Sequence, residues 1–481
     1  MKNIRLVIIA LLCAVAQGAW AQNPITVTTE AELRTAVQTN NAQIQFANPI
    51  STTSLLEIKD NKTISIDLNG FTLDRGCTSR SSQVIVVRTG STLNLSNGTL
   101  TGGWGGNGGA LDIETNTTVN LTDVIISGNK ADDRGGGISN KGTLTMTGGS
   151  ITNNTSNDGA DPKGGGGLFN YNGASATLTN VTITGNEVKV TGGGGLCNYG
   201  TMTLDGCTIT GNSCQMNGGG IWTAANATLN IQGAMTVTDN TTANSMTNNL
   251  FLKTNAVITV TGALTDSSIG ITMEDNTGAF TSGYSTYHSG VDPATLFKAD
   301  LPEVMSVSLN DNNEAQLTNA LPEGSVYYIE RSWDADNFKV KATVMFVNDA
   351  VVLSNSDGIT LTKKLYVVKD NITINGRILI KPEDNESVGI ILCDGAKLKS
   401  NYDIVFDEST TKAKLHIYGQ ENNSGKLDMS DNADNAYGVR IGNTYYDEHD
   451  TEGEINIHGG DLDVNGNVRC AAIGSFADIA N

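Results

Sequence analysis

Three loops in the first half of this chain combine carboxylates with a basic side chain. Such a combination could hold a cation or move a proton, so these loops are the candidates for catalysis. Solvated loop tips have the same composition, and no spacing within these loops singles out a catalytic pair. We therefore assign no catalytic residue, no metal ligand and no cofactor from the sequence. The loops contain Asp132, Asp133 and Arg134; Asp158, Asp161 and Lys163; and Glu187 and Lys189.

Three aromatic residues form a candidate binding site. Tyr171 and Tyr199 each lie six residues after the first glycine of a glycine run, and Trp222 lies near the equivalent place in the next run. Rings stacked on a surface can hold sugar faces, and they can equally form a cross-strand ladder that shields a sheet. Both interpretations stay open. The partners they predict are glycans or other components of host or bacterial surfaces.

Histidines and cysteines suggest no further chemistry. The four histidines, His288, His416, His449 and His458, lie outside the strong repeats, and none is near another in the sequence. The cysteines show no CxxC or Cys/His metal spacing, which favours buried thiols over redox chemistry or zinc. Cys207 stands where related segments have Val or Gly, so we expect it to be a buried small apolar residue.

The elements that must position these residues are internal repeats. Each repeat begins with a glycine run and ends in asparagine, and apolar residues recur ten, eight, five and three positions before that asparagine. In one copy these residues are Ala176, Leu178, Val181 and Ile183, before Asn186. The runs start at Gly108, Gly135, Gly165, Gly193 and Gly218, and the asparagines are Asn129, Asn154, Asn186, Asn212 and Asn240.

This pattern predicts a parallel β-solenoid. The apolar residues alternate within each half of the repeat, which is strand periodicity, and a further strand follows each glycine run. We expect three short strands in each repeat of about 25 to 30 residues, and stacking then places equivalent residues about 4.8 Å apart. The apolar positions become ladders inside the tube, and the asparagines form a ladder at one turn.

The motifs in this region resemble those of a known family. GGGL followed by Phe169, Asn170, Tyr171 and Asn172 is similar to the paired GGA[ILV] and FxxN motifs of chlamydial polymorphic outer-membrane proteins. These belong to the wider right-handed, pectin-lyase-like β-helices. The resemblance covers residues 84–260 and departs from the motif in the next coil, where Cys197 and Gly200 stand. It implies a right-handed parallel β-helix. Because the family includes polysaccharide lyases and glycoside hydrolases, it also keeps an enzyme open.

The ends of the first unit, residues 22–320, should be covered. Residues 25–39 predict a strand and a short capping helix, with Thr29 and Glu32 as a capping box. Leu33, Ala36 and Val37 form its apolar stripe. Residues 275–345 look irregular, and we expect them to form a closing section and a linker.

A second β-helical unit is predicted in series, over residues 321–481. Its short alternating strands resemble segments of surface proteins of Bacteroides-like gut bacteria. In that pattern AAIG, here Ala471–Gly474, opens another coil, so we expect the second unit to be incomplete at its C-terminus.

The N-terminal residues and the charge predict where the protein works. Residues 1–21 have the basic start, apolar run and small-x-small end of a cleaved signal peptide, and no later segment is apolar enough to span a membrane. A formal net charge of −20 over 481 residues argues against nucleic acid as a partner. We expect an exported protein, extracellular or on the outer-membrane surface of a Gram-negative bacterium.

Two functions remain from the sequence. The first is a non-catalytic β-helical cell-surface protein, an adhesin-like or glycan-contacting scaffold. The second is a β-helix polysaccharide lyase or glycoside hydrolase acting on an acidic polysaccharide. We favour the first, because the second requires a groove with converging carboxylates that no spacing in the sequence indicates.

Overall fold

Short strands separated by glycine and asparagine turns wind into an all-β parallel solenoid. The computed structural model describes residues 24–157, 164–242, 245–321, 325–334, 339–383, 387–407, 413–420, 424–429, 441–442 and 454–464. Over both units the solenoid has about 13 turns, and 4% of the residues are helical, consistent with the predicted right-handed β-helix. The chain divides into two compact units, Met1–Asn319 and Ala320–Asn481.

The first unit opens with the predicted cap. Thr29 is the N-cap of the first helix, its side chain accepts from the Glu32 amide, and the Glu32 side chain completes the capping box. Leu33 and Ala36 are buried beneath the helix. The first coil starts at Gln43, in the strand that pairs with Thr63–Asp67 of the next coil. The opening elements are strand Ile25–Val27, helix Glu30–Ala36, and strands Gln43–Phe46, Ile50–Ser51, Leu56–Ile58, Thr63–Asp67, Thr72–Asp74, Ile85–Val87 and Thr92–Thr101.

Each regular coil has four strands rather than the predicted three. The first strand follows the glycine run, the second and third carry the four apolar positions, and the fourth follows the asparagine. The first strands are Leu111–Ile113, Ile138–Asn140, Leu168–Asn170, Leu196–Asn198, Ile221–Thr223 and Leu250–Leu252. The second are Thr143–Thr147, Ser175–Thr179, Thr201–Asp205, Thr228–Gly233 and Ile258–Leu264; the third are Ser150–Thr152, Thr182–Thr184, Thr208–Thr210, Thr236–Thr238 and Ser268–Met273; and Thr118–Ser127 joins both.

The fourth strands were missed because they are short and lack apolar alternation. They form a separate parallel sheet of six strands along one edge of the first unit. Their inward residues Ala131, Ser156, Val188 and Cys214 are buried. The six strands are Trp104–Asn107, Lys130–Arg134, Thr155–Ser156, Glu187–Val188, Ser213–Cys214 and Thr241–Thr242.

The glycine runs are required by close packing between coils. Gly193 has a φ of +74°, in the left-handed region that favours glycine. At Gly194 a Cβ would lie 2.4 Å from the carbonyl oxygens of both Gly219 and Ser213. No side chain fits there, because adjacent coils bring their backbones together at this corner.

The terminal asparagines form a buried ladder that runs through the first unit. In each rung the side-chain Nδ2 donates to the Oδ1 of the next asparagine, and the same Oδ1 accepts a backbone N–H. Asn186 Nδ2, for example, donates to Asn212 Oδ1 at 2.9 Å, while Asn186 Oδ1 accepts from Asn154 Nδ2 and N, each at 3.0 Å. The predicted ladder is confirmed, and its members Asn129, Asn154, Asn186, Asn212 and Asn240 are all 0% exposed.

A carboxylate ends this ladder at its acceptor side. Asn240 Nδ2 donates to Asn249 Oδ1 at 3.0 Å, and Asn249 Nδ2 donates to Asp300 Oδ1 at 2.6 Å. The other Asp300 oxygen accepts from the Asn249 amide at 2.7 Å and from the Thr272 hydroxyl at 2.9 Å. Because all the amides point the same way, the last rung needs an acceptor without a donor of its own, which a carboxylate supplies.

Residues 278–319, expected to be irregular, instead form a strand-rich end of the first unit. Met305–Leu309 pairs antiparallel with Ala315–Asn319, which also pairs with Gly278–Ala279. Phe280, Tyr284 and Phe297 are buried there at 0% exposure. The remaining elements are strand Thr281–Ser282, helix Tyr284–Tyr287, 3-10 helix Pro293–Thr295 and strand Phe297–Ala299.

The second unit combines parallel coils with an antiparallel hairpin. The hairpin strands are Val326–Asp334 and Lys339–Val347, and Tyr328 packs on the outward side of the coils beside Val367, Ile391 and Tyr418. None of the helices in the described residues has the length and apolar character needed to cross a membrane. The coil strands are Val351–Val352, Ile359–Leu361, Leu365–Val368, Ile372–Ile374, Ile378–Ile380, Ser387–Leu392, Lys397–Ser400, Ile404–Phe406, Lys414–Gly419, Lys426–Met429, Ile441–Gly442, Glu454–Ile457 and Asp461–Val464.

Candidate functional site

The predicted aromatic residues lie on the outward side of the first strands. Tyr171 and Tyr199 directly follow the strands Leu168–Asn170 and Leu196–Asn198, and are therefore equivalent. Trp222 does not share their column. It pairs with Cys197, which pairs with Phe169, so Trp222 continues the column of Phe169.

Four rings nevertheless form one continuous stack, which we call the aromatic ladder (Phe169, Tyr171, Tyr199 and Trp222). The Phe169 centroid lies 4.6 Å from that of Tyr171, edge to face, and 5.4 Å from that of Tyr199, stacked. Tyr199 and Trp222 are 5.0 Å apart with their planes tilted by 36°. Phe169 is buried, while the other three rings are half-buried. The ladder spans three coils, and each outer ring keeps part of its surface in solvent.

The strands that carry the ladder are held in register by a second set of amides. Asn140 Nδ2 donates to Asn170 Oδ1 at 2.8 Å, and Asn170 Nδ2 donates to Asn198 Oδ1 at 3.0 Å. All three side chains are buried at the ends of the first strands. The backbone between Phe169 and Tyr171, and the backbone before Tyr199, are therefore held in place by buried amides.

Two cations flank one end of the aromatic ladder. The Arg134 guanidinium carbon lies 5.5 Å from the Phe169 centroid and 5.3 Å from that of Tyr171. Lys141 Nζ lies 5.1 Å from the Tyr171 centroid. Arg134 also donates to the Tyr171 hydroxyl at 3.2 Å, and this hydroxyl donates to Asn107 Oδ1 at 3.2 Å. The Tyr171 hydroxyl is thus fixed by Arg134 and Asn107, and the Tyr171 ring lies beside two positive charges.

A half-buried carboxyl lies in the strand next to this end. Asp112 is paired in register with Ser139, which in turn pairs with Phe169. Burial raises the pKa of Asp112 above its ordinary value, against the opposing influence of the Lys141 charge and the Ser139 hydroxyl.

The carboxylate loops do not converge on a site within the described residues. Asp132 accepts from Trp104 Nε1 at 2.8 Å and forms an ion pair with Arg80 at 2.8 Å. Glu187 is paired with Lys189 of its own loop. Asp158, Asp161 and Lys163 lie outside the described residues. In the part of the chain that the structure describes, no three His, Cys, Asp or Glu side chains are grouped to hold a metal ion.

Two histidines meet that were expected to be apart. His416 Nδ1 lies 3.0 Å from His458 Nε2, and their rings stack with Tyr418. His458 Nδ1 lies 2.9 Å from the Arg331 carbonyl oxygen, which can only accept. His458 Nδ1 therefore donates to that carbonyl, which leaves Nε2 as the nitrogen that can accept from His416. The expectation of isolated histidines was wrong for this pair, because adjacent coils bring together residues far apart in the chain.

The other histidines and the cysteines have structural surroundings. His288 Nε2 accepts from the Leu264 amide at 3.0 Å, and His449 lies outside the described residues. The five described cysteines are thiols, and Cys207 is buried as predicted. Burial raises the pKa of Cys207 to about 11 and that of Cys214 to about 12. These thiols stay protonated near neutral pH, which makes them poor nucleophiles and metal ligands.

Comparisons with known proteins find one similarity of limited extent. A stretch of 106 residues, 21% of this chain, is 40% identical to the probable autotransporter YfaL of Escherichia coli (strain K12). The match covers 8% of that protein, so the chain spans only a small part of its relative's length. No family model matches the chain, and no solved structure matches it. Over about a fifth of its length, this β-solenoid chain is thus similar to a bacterial autotransporter.

Proposed function

We propose that this chain is an exported, non-catalytic β-helical protein of the bacterial cell surface that contacts glycans through the aromatic ladder. The observation that carries the proposal is the stack of four rings across three coils, with Tyr199 and Trp222 half in solvent. The similarity to an autotransporter and the solenoid fold support the surface location. An adhesin-like scaffold requires an extended, regular surface and no catalytic centre.

The ladder suits a sugar chain better than a compact ligand. Rings on successive coils leave a continuous run of part-exposed apolar surface, and sugars offer one apolar face to such a surface. Arg134 and Lys141 at one end add hydrogen-bond donors beside Tyr171. Binding by stacking alone needs no deep cleft, so a smooth solenoid can perform it.

The proposal is tested by glycan binding with ring-deletion variants. The purified protein is applied to immobilised host and bacterial surface glycans, and the affinity is compared with that of Y199A and W222A. We expect each variant to lose about tenfold in affinity, since losing one stacked ring costs about 1.4 kcal/mol. The control is Y287A, which removes a tyrosine that is 46% exposed elsewhere in the first unit.

Two results would contradict this function. Equal binding by W222A and the unaltered protein would show that the aromatic ladder does not contact the glycan. Release of unsaturated ends from pectin or glycosaminoglycans in the presence of calcium would instead favour the lyase hypothesis.

A further inference from the structure

The second unit contains a cleft that none of the preceding arguments uses. It has a volume of about 640 Å³ and is lined by the hairpin, by the residues just before Leu365, and by Pro382 and Glu383. Clefts of this size are typical of sites for small ligands. All of its lining residues belong to the second unit.

The walls of the cleft are held in place by bonds behind them. Tyr328 of the hairpin packs on Tyr418 with centroids 4.3 Å apart, and it joins the apolar cluster on the outward side of the coils. On the opposite wall, the buried Tyr366 hydroxyl accepts from the amides of Thr362 at 2.8 Å and Lys363 at 3.0 Å. Both walls are therefore built before any ligand arrives.

One side of the cleft presents apolar side chains to solvent. Phe346 is 51% exposed and Val351 is 41% exposed, although both are large and apolar. Tyr328 and Leu365 line the same cleft deeper in. An exposed phenyl ring at the mouth of a preformed cleft is a feature that ligand contact would explain.

The other side carries charged groups of both signs. Lys363 and Glu383 form an ion pair at 2.7 Å, and both side chains are more than half exposed. Lys364 and Asp349 also line the cleft. Their formal charges cancel, so the cleft does not favour an ionised ligand. Each ammonium group has three donors and each carboxylate has several acceptor sites, so the ion pair leaves hydrogen-bonding capacity for hydroxyl groups.

We propose that this cleft binds a short, uncharged oligosaccharide, with one sugar ring stacked on Phe346 and its hydroxyl groups bonded to Lys364, Asp349 and the Lys363–Glu383 pair. A neutral sugar has one apolar face and a rim of hydroxyl groups that donate and accept, which matches the two sides of the cleft. This site is separate from the aromatic ladder, and it does not depend on the function proposed for the ladder.

The test uses the full chain and defined sugars. Titration calorimetry measures binding of neutral hexasaccharides of glucose, mannose and N-acetylglucosamine, with hexagalacturonate as the charged comparison. We expect at least one neutral hexasaccharide to bind, F346A to weaken it at least tenfold, and D349N to weaken it severalfold. The matched control is Y402A, which removes a side chain 49% exposed elsewhere in the second unit.

The outcomes separate this site from the ladder. W222A should keep the hexasaccharide affinity in the second unit, while F346A should keep the glycan binding attributed to the ladder. The proposal is overturned if no neutral hexasaccharide binds at millimolar concentration, if hexagalacturonate binds more tightly, or if F346A binds as well as Y402A. Retention of peptides from a random library in place of any sugar would also overturn it. Circular dichroism of each variant confirms that the solenoid is intact before binding is compared.

Discussion

Replacing the Asp300 carboxyl by an amide should remove a pH dependence from the stability of the first unit. Asp300 is buried and accepts three hydrogen bonds, from the Asn249 backbone amide, Asn249 Nδ2 and the Thr272 hydroxyl. Those donors favour the carboxylate, and burial favours the neutral acid. Burial is the larger effect and raises the pKa of Asp300 from 3.8 to about 6.

The pKa of Asp300 sets the direction and the size of its pH-dependent contribution to the free energy of unfolding. A carboxyl whose pKa is raised by folding contributes stability that is fully present below pH 3.8 and is lost as the pH rises through about 6. The gap of about two pH units corresponds to about 3 kcal/mol, of which about 2 kcal/mol is lost between pH 4.5 and 7. In D300N the amide Oδ1 can accept both Asn249 donors, as every asparagine rung does, and its Nδ2 can donate to Thr272.

Urea unfolding followed by circular dichroism measures the effect at several values of pH. The free energy of unfolding of D300N, relative to the unaltered protein, should rise by about 2 kcal/mol from pH 4.5 to 7. D311N, at an exposed turn of the same unit, should show no such rise. A constant difference across this range, or one that falls with pH, would refute the claim that burial outweighs the three donors.

Two further predictions concern the asparagine ladder and the histidine pair. In urea denaturation, N186A should lower the free energy of unfolding by about 3 to 5 kcal/mol, because it leaves buried donors on Asn154 and buried carbonyl groups without partners. The control N172A, at an exposed turn, should change it by less than about 0.5 kcal/mol. Equal effects of the two substitutions would show that the ladder adds no stability. Burial, and next the charge of His458, lower the pKa of His416 below its ordinary 6.5. His416 therefore contributes stability that is fully present above pH 6.5 and is lost as the pH falls through its lowered pKa. Thermal unfolding should therefore show a smaller loss of stability between pH 7 and 5 for H416F than for the unaltered protein, and an equal loss would contradict this assignment.

Much of the solenoid could be predicted because its repeat obeys local rules. Alternation of apolar residues places Leu178 and Ile183 inside the tube, and both are 0% exposed. The capping box at Thr29 could be predicted for the same reason, since all its bonds lie within one turn of chain. The fourth strand could not be predicted, because strands such as Glu187–Val188 have two residues and form only when the neighbouring coil supplies a partner.

The candidate sites show the limit of the local rules more clearly. Tyr171 and Tyr199 could be predicted as equivalent from their spacing after the glycines, but Phe169, which joins them, looked like an ordinary motif residue. The cleft beside Phe346 had no sequence signal, because its walls come from the hairpin and from separate coils. The meeting of His416 and His458 likewise depends on stacking alone.

The sequence by itself determined the class of fold, the inward and outward residues of the repeats and the asparagine ladder, since each follows from periodicity and from the backbone preferences of glycine and asparagine. Only the tertiary structure decided which outward residues meet. Stacking brings together residues about one coil apart in sequence at a spacing of about 4.8 Å, and the path of each coil sets the column into which a side chain falls. The ring stack, the Asp300 terminus of the ladder and the cleft in the second unit all arise from that step, because their members share no local pattern.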